Sequence, residues 1–166
     1  MSDTIAAAFI GGFVALVVGT ITVFGTEAYR RHRDAISLAG ALAGEIAVYV
    51  EALPMIESTW GELERRAAAG TLLVVPNLPM PVNAIYDHCA RDVGLLGPKL
   101  ASEVAYLYGN VAAFRGAMAA LISVRDDSVQ QAALIRSALV FVGRGKAVGS
   151  PLLRKLRKFA DSEFLE

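Results

Sequence analysis

The uncharged run from Ile5 to Phe24, IAAAFIGGFVALVVGTITVF, constrains this chain more than any other feature. It holds no charged residue, no proline and no polar side chain except Thr20 and Thr22. A helix of about 20 residues covers about 30 Å, the thickness of a bilayer's hydrocarbon core. Ile5, Phe9, Ile10, Phe13, Val14, Leu16, Val17, Val18, Ile21, Val23 and Phe24 each favour insertion. At about −0.3 to −0.6 kcal/mol apiece they sum to a few kcal/mol, from which glycine and threonine subtract a little. A cleaved secretory signal opens on a basic region and carries a shorter apolar stretch of about 7–15 residues. Here the opening Met1-Ser2-Asp3-Thr4 carries an acid and no base. A buried core helix apolar on every side is unusual in a small domain. The expectation is an all-α chain: a single N-terminal transmembrane helix within residues 1–28, then a cytoplasmic helical bundle of about four or five helices over residues 29–166.

Orientation follows from the flanks. No Lys or Arg precedes the run, whereas Arg30, Arg31 and Arg33 follow it, with His32 among them. Basic residues near a span end stay on the cytoplasmic side. The expected arrangement is single-pass, N-terminus out and C-terminal domain in the cytoplasm, with the three arginines at the membrane surface.

The composition agrees. The chain is 55% hydrophobic and 19% charged, against about 45–50% and about 25% in soluble domains. Sixteen basic and 16 acidic residues balance, so no global basic field argues for nucleic acid. Cys89 is the one cysteine and excludes an intrachain disulfide. Residues 29–166 suffice for one sizeable core.

Within the run, Ala7, Gly11, Ala15 and Gly19 recur every four residues, and Ala8 and Gly12 widen the stripe. Small residues at this spacing let helix backbones approach closely in lipid. They predict a homo-oligomer or a docked partner helix; glycine and alanine are also simply common in membrane helices.

Glu27 to Leu53 lacks proline and places Leu38, Leu42, Ile46, Tyr49, Val50 and Leu53 at helical spacing, so the span can run on as helix until Pro54 stops or bends it. A short helix over Met55–Ala69 follows, ended by Gly70. The prolines of 71–81 argue for an extended crossing over the bundle, with a brief strand at Leu72–Val75. Pro81 opens a helix over about Val82–Val93, closed by Gly94. Pro98 opens a long one to about Val124, and Asp126, Asp127 and Ser128 cap the next. Gly143, Gly145 and Gly149 weaken the end of that helix, and Ser150-Pro151 starts a last one.

Chemistry-bearing clusters are sparse. Asp87-His88-Cys89 with Asp92 offers a metal reading through His88 and Asp92, four apart on one helical face, or a nucleophile reading through Cys89. Adjacent helical residues point about 100° apart, so His88 is poorly placed to activate Cys89. The competing expectation is a small buried cysteine beside surface polar groups. No motif implies a metal or any cofactor. In the C-terminal segment Arg144, Lys146, Arg154, Lys155, Arg157 and Lys158 crowd together, with Leu152, Leu153, Leu156 and Phe159 along one side. That predicts either a basic amphipathic helix on an anionic leaflet, with Arg154, Lys155, Arg157 and Lys158 at the surface, or leucines packed on the bundle and solvated charges. Leu72, Val74, Val75 and Leu78 of the Pro-rich segment predict either a partner site or a core cover.

Tyr86-x-x-x-Ala90-x-x-x-Gly94-Leu95-Leu96, followed by Glu103-Val104 and Tyr108, resembles a pattern in uncharacterised small bacterial membrane proteins with one N-terminal span. The resemblance covers the span and roughly residues 80–110. It implies a bacterial inner-membrane setting and brings no activity or catalytic residues with it. The expected function is a membrane-anchored, non-enzymatic interaction or scaffold module, in contact with the lipid bilayer and an unknown protein partner. The alternatives are a membrane-active oligomer of pore or lysis type, for which a wholly apolar span offers no polar lining, and a metal-dependent or hydrolytic enzyme.

Overall fold

The computed structural model describes residues 2–75 and 83–162, and for residues 2–12, 14 and 15 the backbone alone. The described chain is all-helical: α1 (Ser2–Ala68), α2 (Ala84–Cys89), a 3-10 turn (Val93–Leu96), α3 (Gly97–Ser123) and α4 (Ser128–Ala160). Among the described residues one helix, near the N-terminus, is long and apolar enough to cross a membrane.

The apolar run and the first bundle helix are one element. The expectation of a span joined to a separate bundle of four or five helices is corrected in this respect: α1 passes residues 28 and 29 without a break, and the four described α-helices include it. The reason is local. Between Phe24 and Leu53 nothing breaks a helix except isolated glycines, each costing about 1 kcal/mol.

Pro54 does not end α1 either. Its missing N–H leaves the Val50 carbonyl without a helical partner, a cost of about 3 kcal/mol or more. Packing on both sides outweighs it: Leu42 and Ile46 are fully buried before it, and Ala67 is buried after it, with Trp60 and Leu63 packed beside it. The expected separate helix over Met55–Ala69 is thus the last part of α1. Gly70 closes it with φ +87°. The Thr71 N–H donates to the Arg66 carbonyl at 3.0 Å and the Gly70 N–H to the Ala67 carbonyl at 2.9 Å, a glycine stop that satisfies the last carbonyls.

Residues 71–75 form no strand. They are held by Gln131, a fully buried amide inside α4. Its side chain accepts from the Leu73 N–H at 2.9 Å and donates to the carbonyls of Leu73 and Val124 at 3.0 and 2.8 Å. Leu73 is buried and Val75 packs on the core, whereas Leu72 and Val74 are exposed. Leu78 lies outside the described residues.

The expected Val82–Val93 helix is only Ala84–Cys89, followed by the 3-10 turn. Gly97, not Gly94, takes the positive φ, at +78°, and Pro98 follows inside the first turn of α3. Asp127 caps α4 by accepting from the Gln130 N–H at 2.9 Å. Pro151 starts no new helix: α4 runs through it, fixed by the fully buried Leu152 and Leu156.

α4 packs closely against both α1 and α3. Contacts between residues 40 and 160, 57 and 146, and 64 and 136 make it antiparallel to α1. α1 and α3 run parallel and meet through large side chains: Tyr49 stands edge-on to Tyr108, and Trp60 to Phe114, each with ring centroids 6.2 Å apart. Two core clusters result. One joins Leu38, Leu42 and Ile46 to Val104, Leu107, Leu152 and Leu156. The other joins Ala67 and Leu73 to Met118, Leu121 and Ile135.

Candidate functional site: a bare apolar helix with a basic collar

The core of the bundle begins at Ala35. Among the described side chains up to Phe24 the large apolar ones are exposed apart from the half-buried Val17: Phe13 at 70%, Phe24 at 71%, and Leu16, Val18, Ile21 and Val23 likewise. Leaving an apolar surface of this extent in water opposes the hydrophobic effect at each residue. The stretch also satisfies its own polar groups. The Thr20 hydroxyl donates to the Leu16 carbonyl and the Thr22 hydroxyl to the Val18 carbonyl, both at 2.8 Å. Thr26 donates to the Thr22 carbonyl at 2.9 Å. A helix whose hydroxyls bond back to its own carbonyls meets the condition that an apolar solvent imposes. Of the small-residue stripe, Gly19 faces open space. The side chains of Ala7, Ala8, Gly11, Gly12 and Ala15 lie outside those described.

A charged collar follows. Glu27 accepts from Arg30 through two oxygens, at 3.0 and 3.1 Å, and from Arg31 at 2.8 Å. Hydrogen bonds from Arg30 and then Arg31 hold the Glu27 carboxyl at about 2. Arg33 lies 3.8 Å from Asp34. α4 returns its C-terminal end to this level, where the Phe159 ring sits 6.4 Å from the His32 ring. At 1.5 Å per residue, His32 lies about 12 Å beyond Phe24 along α1. Arg154, Arg157 and Lys158, far away in sequence, are exposed near the same end.

The fold sorts the C-terminal basic residues. Lys155 reaches the Glu103 carboxylate at 2.6 and 2.7 Å. Lys146 bonds Glu57 at 2.6 Å, and Arg144 lies over the Phe141 ring, 5.8 Å from its centroid. The apolar side of the segment faces inward: Leu152 and Leu156 are fully buried, and Leu153 and Phe159 pack on the core. So α4 presents charges, not leucines, to whatever lies at the collar.

The Asp87–Asp92 cluster does not assemble. α2 ends at Cys89, so His88 and Asp92 do not share a helical face. Asp87, His88 and Asp92 are exposed, and Cys89 is half-buried against the core. Among the described residues no group of three or more His, Cys, Asp or Glu converges as a metal site.

Sequence reasoning missed a polar knot between α1, α2 and α3. The Glu45 carboxylate accepts from the Tyr108 hydroxyl at 2.5 Å and from the N–H groups of Ile85 and Tyr86, both at 3.2 Å. It thereby supplies the first turn of α2 with an acceptor from another helix. Tyr86 stacks on Tyr108 at 3.9 Å, and the Tyr49 hydroxyl donates to Asn83 Oδ1 at 2.7 Å. Burial, then the bond to Glu45, pushes the Tyr108 phenol well above its usual range, and burial raises Tyr49 as well. A lone glutamate inside an alanine-rich helix gives no sign of such a role. No protein-family model, curated protein or solved structure matches this chain.

Proposed function

We propose that the chain is a membrane-anchored, non-enzymatic interaction module whose residues 1–28 hold a single span and whose residues 29–166 form a helical domain at the cytoplasmic surface of a bacterial inner membrane. The observation that carries this reading is the exposed apolar side chains described between Phe13 and Phe24, in an uncharged run that begins at Ile5 and is followed by Arg30, Arg31 and Arg33. Lipid is the solvent that such a surface favours. The arginines set the topology, N-terminus out, since Lys and Arg near a span end count and acids contribute little. Arg154, Arg157 and Lys158 extend the collar toward the headgroups. Near an anionic leaflet each basic residue gains about 1 kcal/mol, and the effect decays over about 8 Å at physiological salt. Partners meet the protein in two places: a second copy or another membrane helix on the Ala7–Gly19 stripe, and a protein partner on the domain.

Reporter fusions test the reading. A reporter active only outside the cytoplasm should be silent after residue 166 and active ahead of Met1. Replacing Arg30, Arg31 and Arg33 together by glutamate should mix or invert that pattern. Activity at the C-terminus of the unaltered chain contradicts the topology. Gly11→Leu with Gly19→Leu should weaken self-association or partner capture in mild detergent, and unchanged association removes the stripe from the account.

A further inference from the structure

We propose that the outward face of α1 between Ser37 and Met55 pairs with the same face of a second copy of this chain, the two helices parallel about a twofold axis. The inference rests on the reading that residues 1–28 anchor the chain and carries self-association from the membrane into water. Ser37, Ala41, Gly44, Val48, Ala52 and Met55 recur at steps of three and four and fall within an arc of about 80°. None of them is charged. The arc is turned away from Leu42 and Ile46, which face the bundle. Val48 is 63% exposed and Met55 68%, and nothing stands within 4 Å of a Cβ on Gly44. Lipid does not cover this ridge. Val48 lies about 36 Å along the helix beyond Phe24, whereas the headgroup layer adds only about 5–8 Å to the hydrocarbon core.

Two features select a second copy as the occupant. The first is helical phase. Gly19, which faces open space, precedes Ser37 by about five whole turns, so the small-residue stripe and the ridge lie on one side of an unbroken helix. A copy held on the stripe therefore brings its own ridge alongside at the same height, with both bundles on the outside. Small side chains at Ala41 and Gly44 permit helix axes about 8 Å apart. The second feature is charge. Arg33 and Asp34 flank the line of the ridge, about 50° to either side of it, with their side chains 70% and 43% exposed. In a parallel twofold pair, one flank of each helix meets the opposite flank of the other. Each Arg33 then faces the partner's Asp34, the flanking charge pairing that sets orientation in paired helices. Arg30, on the same line, is already neutralised by two hydrogen bonds to Glu27. Glu51 lies on the Arg33 flank and stays exposed at the rim.

Disulfide trapping in membranes from expressing cells tests the pairing, with the full chain carrying Cys89→Ser and one new cysteine. Under copper phenanthroline, Gly44→Cys and Val48→Cys should form dimers at least tenfold faster than Val129→Cys or Val140→Cys, which are exposed on α4. Arg33→Asp should slow trapping at Val48→Cys several-fold, and adding Asp34→Arg should restore it. No dimer at Gly44→Cys and Val48→Cys overturns the ridge, and so do equal rates at the α4 positions, which random collision would give. An exchanged charge pair that fails to restore trapping overturns the parallel arrangement. Ala15→Cys separates the ridge from the stripe. Trapping there without trapping at Val48→Cys removes the ridge and leaves the stripe; the reverse supports the ridge and removes the stripe. The anchor itself is read separately, by extraction with alkaline carbonate.

Discussion

Glu45 gathers three donors from two other elements, so its removal strands a buried phenol and two backbone amides at once. Glu45→Ala should cost about 3 kcal/mol and Tyr108→Phe about 1.5 kcal/mol, since a bond to a charged group contributes about 1.5–3 kcal/mol and leaves its partner unsatisfied when lost, and Glu45 keeps two other donors in Tyr108→Phe. Urea unfolding of both variants and of the double mutant checks this: the pair should be less than additive. The tyrosines were invisible as a cluster because the contact joins residues 63 apart in sequence. Local spacing read the cap at Asp127 and the stop at Gly70 correctly because both are made within one turn. It placed Cys89 beside His88 and Asp92 without knowing that α2 would end at Cys89. Glu27 gives a second prediction. Its carboxyl is held at about 2 by Arg30 and then Arg31. The native state therefore binds its proton less readily than the unfolded chain. The Glu27 contribution is complete above the ordinary value of 4.5 and is lost as pH falls toward about 2. A carboxyl NMR titration should show a midpoint near 2 that rises with salt; a midpoint near 4.5 contradicts the collar geometry.

At the scale of the element, helix type was legible and helix number was not. Periodicity located α1, α3 and α4 because each keeps a long apolar face. Prolines misled it twice, at Pro54 and Pro151, where burial of neighbouring residues overrides a local penalty. The glycines of α4 separate the same two effects. Nothing stands within 4 Å of a Cβ on Gly143. Gly143→Ala should therefore stabilise by about 0.5–1 kcal/mol, the difference in helix propensity. Gly149 faces Val50 at the α1–α4 seam. Gly149→Leu should destabilise by about 1–3 kcal/mol through overpacking. Thermal melts followed by circular dichroism distinguish them, and a loss of stability in Gly143→Ala contradicts the open environment assigned to it.

At the scale of the whole molecule, one helix serves two surroundings. Beyond Ala35 it packs α4 and carries the bundle; His32 touches Phe159 at the bundle's edge, and between Phe13 and Phe24 no described side chain is buried. The apolar run was legible as a helix long and apolar enough to cross a membrane because hydropathy is a sum over residues and needs no tertiary information. The convergence of Arg30, Arg31 and Arg33 with the end of α4 was not legible, since it depends on α4 returning antiparallel along α1. The account rests on the apolar length of α1 lying in a bilayer. Alkaline carbonate extraction of membranes from cells expressing the full chain tests this directly. The chain should stay in the pellet, and a variant carrying Leu16→Arg with Ile21→Arg should move to the supernatant. Recovery of the unaltered full-length chain in the supernatant would contradict it.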